Sequence, residues 1–238
     1  MYHYEGVSAP MNAVVYYSNT GQSRAVAEYL AERLGYPALD MEVCGETRFG
    51  CLLLVFPVYC QNIPEAVCGF LEIVTADFLI PIAAFGKMSC GNVLWEIQRR
   101  YPQHTVIAGA YVPTKHTYLA DDPPFADYPL LDPLLDKVKA PAPIRFPKLR
   151  KDLFADATPA LRSRLGVRLY RTEACDGCGL CTVRCPRSAI QRGIPNGNCI
   201  RCLRCARECP REALRVKLRL PLRLYLRKKR MTEAVVYV

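Results

Sequence analysis

Ala13-Val-Val-Tyr-Tyr17 runs directly into Ser18-Asn19-Thr20-Gly21-Gln22-Ser23, and a helical pattern follows at once. Ala27, Leu30, Ala31 and Leu34 recur at helical spacing and stop at Gly35, the residue type that most readily closes a helix in the left-handed conformation. An apolar strand, a polar loop and a helix N-terminus in that order form the opening unit of an α/β sheet. Hydroxyls at Ser18, Thr20 and Ser23, a glycine and the free N–H groups of a helix start make an anion cradle. The loop lacks the Gly-Lys-Ser/Thr ending of a phosphate-binding P-loop and the G-x-G-x-x-G of a dinucleotide fingerprint. A well-capped helix start would use the same polar residues with no ligand.

Outward from that unit, strand and helix signals alternate. Cys51–Phe56 is continuously apolar, as a parallel strand buried on both faces requires. Pro64 suits the first turn of a helix reaching about Val74. Ile82–Phe85 reads as a strand with Pro81 tolerated only at its start, Asn92–Arg100 as a helix and Thr105–Val112 as a further strand. Five strands with intervening helices predict a doubly wound, five-stranded parallel sheet, with its ligand site beyond the strand C-termini.

Composition bounds the function. Hydrophobic residues make up 51% and charged residues 23% of 238, which excludes wholesale disorder. No apolar run approaches the length of a membrane span, and the opening MYHYEGVSAP has neither basic nor apolar signal regions, so a cytoplasmic location is expected. The net charge of +10 would suit nucleic acid, an anionic membrane or an acidic protein. Thirteen cysteines without a secretory signal point to metal or redox chemistry rather than disulfides.

The cysteines also divide the chain. Eight lie between Cys175 and Cys209, whereas Cys44, Cys51, Cys60, Cys68 and Cys90 are irregularly spaced. Eight of the nineteen prolines fall between Pro113 and Pro147, which marks a connector around one short helix near Leu130–Val138. The expected division is a first domain over 11–140, a linker over 141–168, a cysteine domain over 169–212 and a basic extension over 213–238.

Cys175-Asp-Gly-Cys178-Gly-Leu-Cys181-Thr-Val-Arg-Cys185-Pro186 and Cys199-Ile-Arg-Cys202-Leu-Arg-Cys205-Ala-Arg-Glu-Cys209-Pro210 both read C-x2-C-x2-C-x3-C-P. This is the run of bacterial cluster proteins whose fourth cysteine ligates the other cluster. Three cysteines in a tight loop wrap one cubane and the fourth reaches across. Two [4Fe–4S] clusters are therefore expected, one on Cys175, Cys178, Cys181 and Cys209, the other on Cys199, Cys202, Cys205 and Cys185. Zinc is the competing metal, but its sites rarely repeat three C-x2-C steps with a terminal Cys-Pro. Seven arginines against three acids over 171–209 favour the reduced clusters, unless that basic face is simply solvated.

Two further loops carry a resemblance. Phe56-Pro57-Val58-Tyr59-Cys60-Gln61-Asn62-Ile-Pro64 and Phe85-Gly86-Lys-Met-Ser89-Cys90-Gly91-Asn92, taken with Ser18–Ser23, make residues 11–118 resemble the flavodoxin superfamily. The resemblance implies FMN, with its phosphate held by Ser18, Asn19, Thr20, Gly21, Gln22 and Ser23. It implies an isoalloxazine set between Pro57–Asn62 and Phe85–Asn92, Tyr59 as the stacking aromatic, and Val112, Pro113 and Tyr118 closing the far side. Cys60 and Cys90 depart from the commonest pattern. Most of the chain is similar to the flavodoxin–ferredoxin fusion proteins of anaerobic prokaryotes, with a small α+β ferredoxin-like domain after the flavodoxin-like one. That resemblance implies electron transfer between two clusters, FMN and a redox partner, and no catalytic acid, base or nucleophile. The alternative is an FMN-dependent reductase fed by the clusters, with Lys115 and His116 as the only hints of proton chemistry. Cofactors would lower the net charge to roughly +4, which argues against a nucleic-acid partner.

From Leu214 to Arg227 apolar and basic residues alternate except at Pro221, which predicts two short strands, with Glu233–Val238 returning as an antiparallel partner. The apolar face is expected to dock on this protein and the basic face on an acidic redox partner. A membrane surface is the less favoured alternative.

Overall fold

The computed structural model describes residues 10–119, 121–152, 155, 159–228 and 230–238. In its first part, β1 (Met11–Tyr16), α1 (Gln22–Leu34), β2 (Ala38–Asp40), β3 (Arg48–Pro57), α2 (Glu65–Ile73), β4 (Thr75–Phe85), α3 (Val93–Arg100), β5 (Thr105–Val106) and β6 (Gly109–Pro113) follow in turn. A 3-10 turn (Tyr128–Leu131) leads to α4 (Pro133–Lys139), the short helix expected in the proline-rich stretch. The second part holds α5 (Pro159–Gly166), β7 (Val167–Arg171), α6 (Leu180–Val183), β8 (Ile190–Gln191), β9 (Ile194–Pro195), α7 (Arg204–Arg207), β10 (Leu214–Leu218), α8 (Leu220–Tyr225) and β11 (Val235–Tyr237).

The central sheet is mainly parallel, in the order β11-β6-β4-β3-β1-β2, with β5 also on β4. Alternate residues of each strand feed opposite cores. Val14, Tyr16, Leu53 and Val55 pack under α1 and α4, against Val26, Leu30, Leu134 and Leu135. Ala13, Val15, Leu52 and Leu54 pack under α2 and α3, against Val67, Leu71, Leu94 and Ile97. Gly35 takes φ 68° and ends α1, its N–H and that of Tyr36 returning to the carbonyls of Glu32 and Ala31.

The five parallel strands of the sequence reading become seven in a mixed sheet. The expected strand over Thr105–Val112 breaks at Ile107–Ala108 into β5 and β6, both on β4. Pro81 explains the break. It lies in the middle of β4, not at its start. Leu79 and Phe85 both turn their carbonyls toward the β5–β6 side, where they accept N–H groups from Ile107 and Thr114. Pro81 shares that parity, so its missing donor falls opposite the gap between β5 and β6, where no ladder bond is required. The seventh strand, β11, is antiparallel to β6 and pairs Val235 with Tyr111.

Residues 144–149, assigned from sequence to a linker, are packed onto the first part. Ile144 donates its N–H to Val106, Phe146 enters the core beside Tyr237, and Leu149 donates to Asn92 Oδ1. The tail also differs from its reading. Leu214–Leu218 is a strand, antiparallel to β7, but the alternation beyond Arg219 folds as helix α8. Pro221 sits in the first turn of that helix, where its fixed φ and absent N–H are tolerated. The same leucines satisfy a helical period, for Leu222, Tyr225 and Leu226 turn inward while Leu220 and Leu224 face solvent. The residues after Glu233 pair with β6, not with the tail, whose expected second strand is helix α8. Among the described residues no helix is long and apolar enough to cross a membrane.

Candidate functional site

At the carboxyl ends of β1, β3, β4 and β6 lies a cavity of about 450 Å³. Asn19, Thr20, Gln22 and Ser23 form one wall, at the start of α1. Gly21 holds φ 83°, its N–H bonded to Ser18 Oγ at 3.1 Å, and no side chain caps the helix. The N–H groups of the first turn are thus left without intrahelical partners, as an anion site requires. Asn19 is buried, donates to the Tyr59 hydroxyl at 2.6 Å, and leaves Oδ1 without a partner.

Pro57, Val58, Tyr59, Cys60 and Gln61 form a second wall after β3, with Gly86, Met88 and Ser89 after β4 and Thr114–Tyr118 after β6. Cys60 and Gln61 both have positive φ, 51° and 71°, which turns the loop sharply at the cavity rim. Gly91, at φ 65°, passes so close to this loop that a Cβ there would stand 2.3 Å from Gln61 O. Only glycine lets the two loops meet. Burial pushes the Tyr59 and Tyr118 phenols above their ordinary range and the His116 imidazole down to about 4. These three side chains are therefore uncharged near pH 7.

Several residues named from sequence stand behind the wall. Phe85 and Cys90 are core residues, Asn62 donates to Ala155 O, and Asn92 accepts from Leu149. Ser18 and Gly21 shape the turn, and Gly91 the loop contact. Sequence reasoning missed the roof: Ser163, Leu165 and Gly166 of α5, Pro221, Leu222 and Tyr225 of α8, and Ile200, Arg201 and Cys202 of the cysteine segment. No local motif marks the residues of α5 and α8, the cysteine motif marks Ile200–Cys202 only for its own cavity, and the tertiary fold alone brings them over the large one.

The eight cysteines divide between two smaller cavities. Cys175, Cys178, Cys181 and Cys209 line one, and Cys185, Cys199, Cys202 and Cys205 line the other. The two runs repeat in backbone as well as sequence. Gly177 and Arg201 are left-handed at φ 78° and 58°, Gly179 and Leu203 at 78° and 64°, and Ser188 and Glu212 both at 47°. Cys185 Sγ accepts the Ala189 N–H at 3.2 Å, and Cys209 Sγ accepts the Ala213 N–H at 3.4 Å. Such bonds favour a thiolate. Burial pushes the free thiols of Cys202 and Cys205 up to about 11 and 12, so neither loses its proton readily to water. Cys199 and Cys205 are buried and Cys178 is exposed, so the second set of four thiols is the more deeply buried. Four soft sulfur donors around each cavity, one of each four accepting a backbone N–H, fit an iron–sulfur cluster.

Cys202 lines both the second cysteine cavity and the large one. Contacts across the two parts hold this arrangement: Arg204 to Glu42 at 2.7 Å, Arg187 to Glu65, and the Tyr118 hydroxyl to Arg201 O at 2.8 Å.

No curated protein matches this chain. Among solved structures, provisionally named flavoproteins from Bacteroides uniformis and Bacteroides eggerthii align at 18% and 15% identity, with TM-scores of 0.38 and 0.42. They cover 45% and 55% of this chain and 92% and 99% of their own. Rubredoxin oxygen:oxidoreductase from Desulfovibrio gigas aligns at 20% identity and TM-score 0.40, over 56% of this chain and 38% of that one. Residues 169–191, which hold the first cysteine run, match the family model of the 4Fe-4S binding domain, so this part of the chain is similar to domains that carry at least one such cluster.

Proposed function

We propose that this protein is an electron-transfer iron–sulfur flavoprotein, passing electrons between a redox partner, two [4Fe–4S] clusters and FMN. The observation that carries the reading is Cys202, a wall residue of both the second cysteine cavity and the large cavity. FMN supplies one- or two-electron exchange when bound, and each cluster supplies one. The uncapped turn of α1, with Thr20 and Ser23, would hold the phosphate, while the loops after β3 and β4 and the roof of α5 and α8 exclude water from the ring. Cys199, Cys202, Cys205 and Cys185 would hold the cluster beside the flavin. Cys175, Cys178, Cys181 and Cys209 would hold the outer one, where exposed Cys178 and Arg211 suit an acidic partner. The sheet order β2-β1-β3-β4 with β5 and β6 beyond it supports a flavodoxin-like reading of the first part.

Anaerobic reduction of the holoprotein, followed by optical and EPR spectroscopy, tests the reading. Flavin and cluster signals that reoxidise only with a protein acceptor support it, whereas rapid turnover of a small substrate indicates a reductase. A second measurement tests the phosphate site. Replacing Thr20 and Ser23 together by Val removes two hydroxyl donors, each worth about 1.5–3 kcal/mol to a charged group, so FMN affinity should fall at least about tenfold. Unchanged affinity would move the phosphate elsewhere.

A further inference from the structure

We infer that Arg201 is a positioning residue for the flavin, a fixed positive charge that makes the cavity bind reduced, anionic FMN in preference to oxidised FMN. The inference rests on the proposed presence of FMN in the large cavity. Arg201 lines that cavity and is absent from the walls of the adjoining cysteine cavity, although its neighbours Ile200 and Cys202 line both. In the first cysteine run the matching residue is Gly177, which lines its own cysteine cavity instead.

The side chain is 9% exposed. Its Nε donates to Val167 O at 3.2 Å, and its Nη1 has no hydrogen-bond partner among the described residues. A buried guanidinium with an idle donor is retained only where an opposite charge meets it. The backbone points the same way. Arg201 sits at φ 58°, a conformation that glycine takes freely at the corresponding Gly177 and that arginine takes reluctantly. Its carbonyl is anchored by the Tyr118 hydroxyl, on the loop after β6 that also walls the cavity.

The oxidised flavin ring is neutral. When bound, FMN would take up two electrons, delivered singly through the clusters from the redox partner, and one proton from solvent, giving a reduced ring with one negative charge. Arg201 would then gain a counter-charge that the neutral oxidised ring does not offer, and His116, held neutral, does not compete for it. Differential binding of the two states is a shift in potential. For a two-electron couple a tenfold preference is about 30 mV.

The test is a redox titration of the flavin bands in the holoprotein, beside free FMN in the same buffer. The wild-type midpoint should lie above that of free FMN by at least the equivalent of tenfold tighter binding of the reduced form. Arg201→Gln should lose that preference while its affinity for oxidised FMN stays within threefold and its iron and sulfide content is unchanged. Arg201→Lys, which keeps the charge, should retain most of it, and it decides the matter if the Gln variant does not fold. A wild-type midpoint below that of free FMN overturns the inference. So does an equal loss of both affinities, which would assign Arg201 to the phosphate, or a shift confined to the cluster signals. Failure of the wild type to bind FMN in either state would instead remove the functional reading itself.

Discussion

Replacing Cys185 by Ala should empty the cavity built mainly by Cys199, Cys202 and Cys205, and leave the cluster of Cys175, Cys178 and Cys181 in place. Cys185 belongs to the first run by sequence but to the second cavity by position, and its Sγ accepts the Ala189 N–H there. Iron and labile sulfide should fall from about eight to about four of each per chain. Reduction of the flavin by an external protein donor should collapse with them, because the lost cluster is the one beside the flavin cavity. Cys209→Ala is the reciprocal case and should remove the outer cluster. Chemical analysis with EPR separates the two. Loss confined to the Cys175 cluster in the Cys185 variant would mean that each run serves its own cluster.

Removing Asp122 should have the largest effect on stability. Its side chain is 1% exposed and meets Lys87 Nζ at 3.1 Å, Arg230 at 2.7 Å and the His116 N–H at 2.6 Å. Asp122→Ala leaves the Lys87 ammonium, itself 7% exposed, buried without a counter-charge. Breaking one side of a buried pair costs about 3–5 kcal/mol, which in a chain of this size lowers Tm by roughly 6–20 °C. Lys87 lies in the loop after β4 and its carbonyl accepts the Met231 N–H, so the loop and the tail loosen together. Burial alone would raise the Asp122 pKa, but the His116 N–H, Lys87 and Arg230 outweigh it and hold the carboxyl below its ordinary value. Its contribution is therefore present above the unfolded carboxylate pKa and is lost as pH falls through the depressed folded one. The stability gap between wild type and variant should be level near neutral pH and shrink below about pH 4. A Tm change under about 2 °C would show that the buried pair contributes little.

The opening unit was fully legible. An apolar run, a hydroxyl loop and a helix closed by Gly35 are local features, set by propensity and periodicity, and the structure has β1, the cavity wall and α1 in those places. The repeat of the two cysteine runs was legible for a similar reason, since a duplicated spacing implies a duplicated backbone. What failed was long-range. Leu214–Leu226 fits period two and period 3.6 alike, and only β7 on one side and α5 on the other decide where the strand gives way to helix. Pro81 was read as a strand start because its missing donor needs an unpaired neighbour. The gap between β5 and β6 that supplies one is invisible without the sheet. The roof of the cavity is the same case, for Leu165, Leu222 and Tyr225 carry no signature beyond ordinary amphipathic helices.

The antiparallel strand β11 ties Val235–Tyr237 to β6 across the whole cysteine segment, which is thereby anchored to the first part at both ends. Pairing β11 with β6 closes a long loop, and the entropy of closure rises with the length of chain left unordered inside it. Order within the cysteine segment shortens the effective loop and so lowers the cost of sealing that sheet edge. Without β11, β6 would present an edge of free N–H and C=O groups to another copy.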